Sequence, residues 1–166
     1  LDRLKNSSDG SMDNVHSLRD QYGADLVSLL TTTSDSGGLA STMQHPSLSF
    51  ESSGFNVNVW SQLGAPSYTL AHEIGHNMGC LHNREDSTWS ADYEFAAFCF
   101  GKRWLQNGEG YRTVMSYDSS SSAYNNRLPF FSNPNVSYLS TSTGNAGTED
   151  NSQVLSLSVP YVSNFR

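Results

Sequence analysis

Apolar positions recur along this chain with a spacing that changes from one stretch to the next, and each change marks an element. In residues 13–22, Val15, Leu18 and Tyr22 fall on one helical stripe, and Gly23 suits a left-handed stop, so the spacing predicts a short amphipathic helix. Residues 24–32 are β-rich and mostly apolar, which predicts a strand buried on both faces; residues 34–38 then break it. Small residues between loop signals at 38–43 predict an edge strand with its backbone open for pairing. Phe, Val and Val alternating with Asn over 55–60 predict a strand of period two. Pro66 suits a first helical turn, after which 67–78 runs as helix up to Gly79. Residues 83–110 read as irregular, with Gly101, Gly108 and Gly110 marking loops, and 117–136 as a long exposed loop around the Asn133-Pro134 turn. Thr148 is expected to cap a last helix with Glu149 and Asp150 in its first turn. Val154, Leu157, Tyr161, Val162 and Phe165 give that helix an apolar face, and Pro160 is expected to kink it.

At 166 residues the chain suits one domain with a single core. Nine Lys plus Arg against sixteen Asp plus Glu leave a net charge of −7, which disfavours docking on nucleic acid or anionic lipid. No run approaches the roughly 20 apolar residues of a membrane helix, and no basic-then-apolar leader opens the chain, so a soluble, processed form is expected. Charged residues are only 15% of the total, so hydroxyls and amides keep the surface wet. Such a low-lysine, Ser-rich surface leans towards secretion, where Cys80 and Cys99 allow one disulfide; two buried free thiols are the alternative.

Three of the five histidines lie within eleven residues, His72-Glu73-Ile74-Gly75-His76-Asn77-Met78-Gly79-Cys80-Leu81-His82. On a helix, residues four apart differ by about 40° around the axis, so His72 and His76 present their rings on one face, one turn apart. Gly79 permits a sharp exit that returns His82 as a third ligand. Three neutral imidazoles leave a tetrahedral position for water, the arrangement of a catalytic rather than a structural zinc. Glu73 then stands beside the open position as a general base for a zinc-acidified water, and its protonated carboxyl can serve the leaving amine. The bland alternative is a buried helix with incidental histidines, but cores seldom bury even one ionisable side chain without a partner. His16 and His45 lack ligand-like spacing and read as ordinary structural or loop residues.

His-Glu-x-x-His-x-x-Gly-x-x-His resembles the signature of the metzincin clan of zinc peptidases, and Thr113-Val114-Met115-Ser116-Tyr117 looks like the clan's Met-turn. The resemblance implies an α/β (α+β) domain: a small mixed twisted sheet with an active-site helix, an irregular lower subdomain and a C-terminal helix. It implies one catalytic domain over 1–166, with an upper subdomain of about 1–82 and a lower one of about 83–166. Met115 would floor the histidines, and Gly38-Leu39-Ala40 would bind substrate as an edge strand. The clan's first strand is expected before Leu1 and is absent from the chain.

Asp9-Gly10-Ser11-Met12-Asp13, Leu18-Arg19-Asp20-Gln21-Tyr22-Gly23-Ala24-Asp25 and Phe131-Ser132-Asn133-Pro134 are similar to secreted bacterial peptidyl-Asp metallopeptidases, relatives of the reprolysins. That resemblance implies a zinc endopeptidase cutting on the amino side of Asp, or Glu, with a cation reading the carboxylate. Arg127, after the Met-turn, is the first candidate and Arg112 the second. Tyr117 stands where astacins and serralysins carry a tyrosine able to stabilise an oxyanion. Asn83 departs from the Asp usual in reprolysins, so the hydrogen bond of that Asp does not carry over automatically. Expected partners are protein or peptide substrates of a monomer. The rivals are a broad or elastin-degrading endopeptidase and a zinc-bound binding module without turnover, against which Glu73 is intact.

Overall fold

A computed structural model describes residues 1–32, 35–85 and 92–166. After a single turn of helix, α1 (Asp2–Lys5), comes the expected amphipathic helix α2 (Asn14–Tyr22), ended by Gly23 in the left-handed conformation at φ 61°. Strands β1 (Val27–Thr31), β2 (Gly38–Ala40) and β3 (Phe55–Val59) then form a mixed sheet in the order β1-β3-β2. Strand β1 runs parallel to β3, and β2 runs antiparallel to it with Gly38 opposite Asn58 and Ala40 opposite Asn56. The break expected over 34–38 lies partly outside the described residues, since 33 and 34 are not among them.

One strand reading is corrected. β1 was expected to be buried on both faces, yet it is an edge strand that alternates half-buried with exposed positions, Leu30 being 45% exposed. β3 is the expected strand of alternating Phe, Val and Val with Asn, and Asn56 and Asn58 on it are fully buried. The reason is a ladder of amides: Asn58 Nδ2 donates to Asn56 Oδ1 at 2.7 Å, and Asn56 Nδ2 donates to Asn77 Oδ1 at 2.8 Å. Polar groups can be buried when paired in this way. On the other face of β3, Phe55 lies under the Arg19 guanidinium (4.8 Å) and the His16 ring (5.1 Å).

Helix α3 (Thr69–Asn77) starts later than Pro66 suggests. The Ala65–Pro66 peptide is cis, and Tyr68 stands at the helix entrance with φ 51°, so Pro66 belongs to the preceding turn. Beyond α3 come β4 (Leu81–Asn83), β5 (Phe100–Gly101), β6 (Arg103–Gln106), β7 (Glu109–Arg112), β8 (Asn126–Arg127), β9 (Ser137–Tyr138) and β10 (Thr141–Ser142). The irregular reading of 83–110 misses the β6–β7 hairpin. Its Asn107-Gly108 turn has φ 53° and 83°, the doubly positive pair that matches strand twist. Nor is 117–136 wholly exposed: Asn126–Arg127 adds to β7, and Leu128 and Ser132 are buried.

Helix α4 (Asn151–Val162) is capped by Asp150, whose side chain accepts from Gln153 N, rather than by Thr148. Val154, Val162 and Phe165 are buried as expected, whereas Leu157 and Tyr161 are 46% and 39% exposed. Pro160 lies inside α4 two residues before its end, where an interrupted hydrogen bond matters least. Val154 joins Cys80, Leu81, Phe95, Cys99, Phe100, Val114 and Met115 in the main core. Ser158 Oγ donates to Met78 O at 2.7 Å, so α4 braces the turn after α3.

Cys80 and Cys99 are free thiols, both buried, and the expected disulfide is not formed. Burial pushes the Cys80 thiol well up and that of Cys99 up to about 12, which keeps both protonated. Hydrogen bonds hold this segment instead: Leu81 N and the Asn151 side-chain Nδ2 both donate to Cys99 O at 2.7 Å.

Candidate functional site

Helix α3 sets His72 and His76 one turn apart, and the chain leaves it through Gly79 at φ 94°. A Cβ at Gly79 would lie 3.0 Å from Met43 O, so both conformation and space require glycine. The chain then returns along β4, where His82 faces the helix. The three Nε2 atoms meet: His72 to His82 is 3.1 Å, His76 to His72 is 3.2 Å and His76 to His82 is 2.9 Å.

That triangle is a donor set for a cation, and the surrounding carbonyls say which form the rings take. His72 Nδ1 donates to Val114 O at 2.9 Å and His76 Nδ1 donates to Cys80 O at 2.9 Å. A carbonyl only accepts, so the protons of these rings sit on Nδ1 and the Nε2 lone pairs face one another. Tetrahedral bonds of about 2.0–2.1 Å need nitrogens roughly 3.3 Å apart, close to the spacing present. His72, His76 and His82 are thus able to hold a metal ion. Burial, and then the neighbouring imidazoles, push His72 well below the ordinary histidine range, which keeps a ligand ring neutral.

Glu73, 5% exposed, lines the space beside this triangle, with His76 and His82 on one side and His72 on the other. Burial raises its carboxyl to about 7 against the opposing pull of Arg127. A Cβ on Gly38 would lie 2.6 Å from Glu73 Oε1, so β2 runs against the carboxylate at a distance only glycine allows. Asn77, a variable position of the motif, ties the two elements together: its Nδ2 donates to Ser41 O at 3.0 Å and to Phe55 O at 3.2 Å. Sequence reasoning passed over Asn77; its place beside His76, with asparagines at 56 and 58, was the available signal.

The turn 113–116 closes with Ser116 N donating to Thr113 O at 3.0 Å. It delivers Val114 O to His72 and places the buried Met115 under α3, where a Cβ on Gly75 would meet Met115 Sδ at 2.5 Å. Tyr117 follows, its ring 3.9 Å from that of His82 and 46% exposed. Asn83 Oδ1 accepts from Tyr117 N at 3.0 Å while its Nδ2 donates to Glu85 at 2.8 Å. The amide therefore does on one side what an aspartate there would do, and on the other side gives a proton that aspartate lacks.

Two cavities flank Glu73. One, of about 270 Å³, is lined by Ser36, Gly37, Gln62, Thr69, His72, Tyr117 and Arg127. The other, of about 210 Å³, extends past Leu39, Ala40 and Thr42 to Leu81, Tyr93 and Phe100. Arg127 Nη1 donates to Ser67 O at 2.6 Å and Nη2 to Ser116 O at 3.2 Å, while its Nε is buried without a partner. Among the described residues no carboxylate is within ion-pair distance of it, so two neutral carbonyls are its direct partners and Asp118 and Glu73 act on it only at longer range. Burial, and then the charge of Arg112, push it down to about 10. Arg112 itself pairs with Asp118 at 3.4 Å, and Asp118 Oδ1 accepts from Ser119 N and Tyr124 N. The second candidate cation therefore positions the loop after the turn and does not line the cavity. His16 hydrogen-bonds Leu4 O, and His45 stands exposed 3.6 Å from Glu94, both apart from the site.

No described helix is long and apolar enough to cross a membrane. A family model described as Metallo-peptidase family M12 matches residues 1–132. A peptidyl-Asp metalloendopeptidase of Stenotrophomonas maltophilia is 35% identical over 167 residues, covering all of this chain and 38% of that protein. One of Xanthomonas campestris pv. campestris is 32% identical over 166 residues, again covering all of this chain and 37% of the relative. The chain thus spans under two fifths of these relatives' length. Among solved structures, a chain from "Structure of a chaperone-substrate complex" matches with TM-score 0.63 and 18% identity over 99% of this chain and 24% of that one, a likeness of fold alone. With its family model matched over most of its length, this chain belongs to metallopeptidase family M12.

Proposed function

We propose that this chain is the catalytic domain of a zinc-dependent endopeptidase that cuts on the amino side of Asp, and less readily of Glu. The observation that carries the reading is the convergence of three Nε2 lone pairs beside a buried carboxylate, at the foot of a strand edge left open. His72, His76 and His82 would hold the ion, and zinc is the choice that fits an all-imidazole set of this spacing. When bound, zinc supplies Lewis-acid polarisation and an acidified water. Glu73, poised near neutrality by burial, takes the proton of the attacking water and returns it to the leaving amine. The Tyr117 phenol, on a ring tilted against His82 at 3.9 Å, is the candidate for steadying the oxyanion. Met115 packs beneath the ligand helix and keeps water from its underside.

Substrate adds to β2 by backbone hydrogen bonds from Gly38, Leu39 and Ala40. Antiparallel addition, the stronger pairing, runs the substrate from the Thr42 end towards the Gly37 end. Its residue after the cut bond then enters the cavity holding Arg127, whose remaining η N–H groups suit a carboxylate. A guanidinium in that wall, whose direct partners are two neutral carbonyls, disfavours the apolar pocket of a broad or elastin-degrading enzyme. The relatives named peptidyl-Asp metalloendopeptidase support the same preference. A secreted monomer acting on proteins or peptides completes the reading.

The test is digestion of a peptide library by the zinc-loaded protein, with Arg127→Ala beside it. Cuts before Asp are expected, and the variant should lose about 10- to 100-fold in kcat/KM on Asp peptides, the worth of a hydrogen bond to a charged group. Cuts without acidic preference favour the broad-specificity rival, and zinc binding without any cleavage favours the binding module.

A further inference from the structure

The two cavities beside Glu73 differ in chemistry, and only the one with Arg127 has been given a ligand. The other, about 210 Å³, is walled by Leu39, Leu81, Tyr93 and Phe100, with Thr42 and Asn83 as its polar rim. Glu73, His76, His82 and Tyr117 close its inner end at the histidine triangle, and beyond them no charged side chain lines it. Leu81 and Phe100 are buried members of the main core, so this wall is anchored, whereas Leu39 stands 55% exposed on the open strand edge.

Resting on the endopeptidase reading above, we infer that this cavity is a second specificity site, which takes an uncharged apolar or aromatic side chain from the amino side of the cut bond. Its lining follows β2 from Gly38 past Ala40 to Thr42. At about 3.3 Å per residue that stretch spans roughly 13 Å, so the occupant lies within three residues of the cut bond. Lys, Arg, Asp or Glu at that position would lose its hydration against Leu81 and Phe100 with no opposite charge to meet it. Apolar surface on the same walls is gained without that loss. The enzyme thus reads an apolar residue before the bond and a carboxylate after it.

The experiment is kcat/KM profiling of the zinc-loaded protein on peptides with Asp fixed after the cut bond and the three preceding positions varied singly. One of these positions should favour Leu, Phe, Met or Tyr over Lys, Asp and Ser by about tenfold. Tyr93→Ser and, on the exposed side, Leu39→Ser should each shrink that ratio while the cut stays before Asp. A flat profile, or a charged preference, at all three positions with cleavage before Asp intact overturns this inference alone. Unchanged ratios in both variants overturn the assignment to this cavity. Absence of cleavage on every peptide overturns the endopeptidase reading and this one with it.

Discussion

His72 and His76 each spend one ring nitrogen on a backbone carbonyl, and that choice turns the other nitrogen's lone pair towards the point where a metal ion could be held. Glu73 shares the helix turn but has no such partner, and burial rather than hydrogen bonding sets its proton affinity. The two residue types should therefore fail differently. In Glu73→Ala the zinc content stays at one per chain while kcat/KM falls at least about 10²-fold. In His76→Ala the zinc itself is lost, and activity with it. Metal analysis beside a peptide assay separates the two; zinc loss in the Glu73 variant would remove the general-base role. Ligand spacing of this kind is legible in sequence because it depends on helix geometry alone. The roles of Arg127 and Arg112 are not, since which one faces a cavity and which one meets Asp118 depends on chain segments far apart.

At the scale of elements, glycine decides how closely α3 is approached. Gly75 admits Met115 from below and Gly38 admits Glu73 from the side, neither leaving room for a Cβ. Gly75→Ala drives a methyl against Met115 Sδ and the Phe131 ring, and should lower stability by about 1–3 kcal/mol, as overpacking does. Thermal unfolding of the metal-free protein checks it, and an unchanged Tm would mean that the turn gives way at no cost. Helices α2 and α3 were readable because their apolar spacing and glycine stops are local. The rank of the strands was not: the apolar run of β1 lies at an edge, and the Asn-bearing β3 lies at the centre, where the distant Asn77 amide accepts from the buried Asn56.

Across the whole molecule, buried histidine links stability to pH. The folded metal-free protein holds His72 neutral well below the ordinary value of 6.5, whereas the unfolded chain protonates it near that value. Below about 6.5 the unfolded state binds the extra proton, so the His72 contribution falls as pH drops from there towards the depressed folded value and is level above it. Glu73, raised to about 7 by burial, instead takes up its proton first in the folded state and favours that state on acidification below about 7. In Glu73→Gln, which removes the opposing protonation of a carboxyl that burial raises to about 7, Tm of the metal-free protein should decline between about pH 6.5 and 5; a rise on acidification would contradict it. Zinc binds the folded form alone in this account, so it should raise Tm at neutral pH and steepen the acid decline as its ligands take up protons.

What the sequence determined by itself were features set within a few residues of each other: two helices, the glycine exit after the second, three imidazoles at ligand spacing with a carboxylate between, and the resemblance these carry. Tertiary structure alone decided which strand is central, that Cys80 and Cys99 are buried without a bond between them, and which arginine has only carbonyls as direct partners. The division has one physical cause. Helical phase and turn chemistry are properties of neighbouring residues, whereas burial, charge compensation and strand order depend on what the rest of the chain brings alongside.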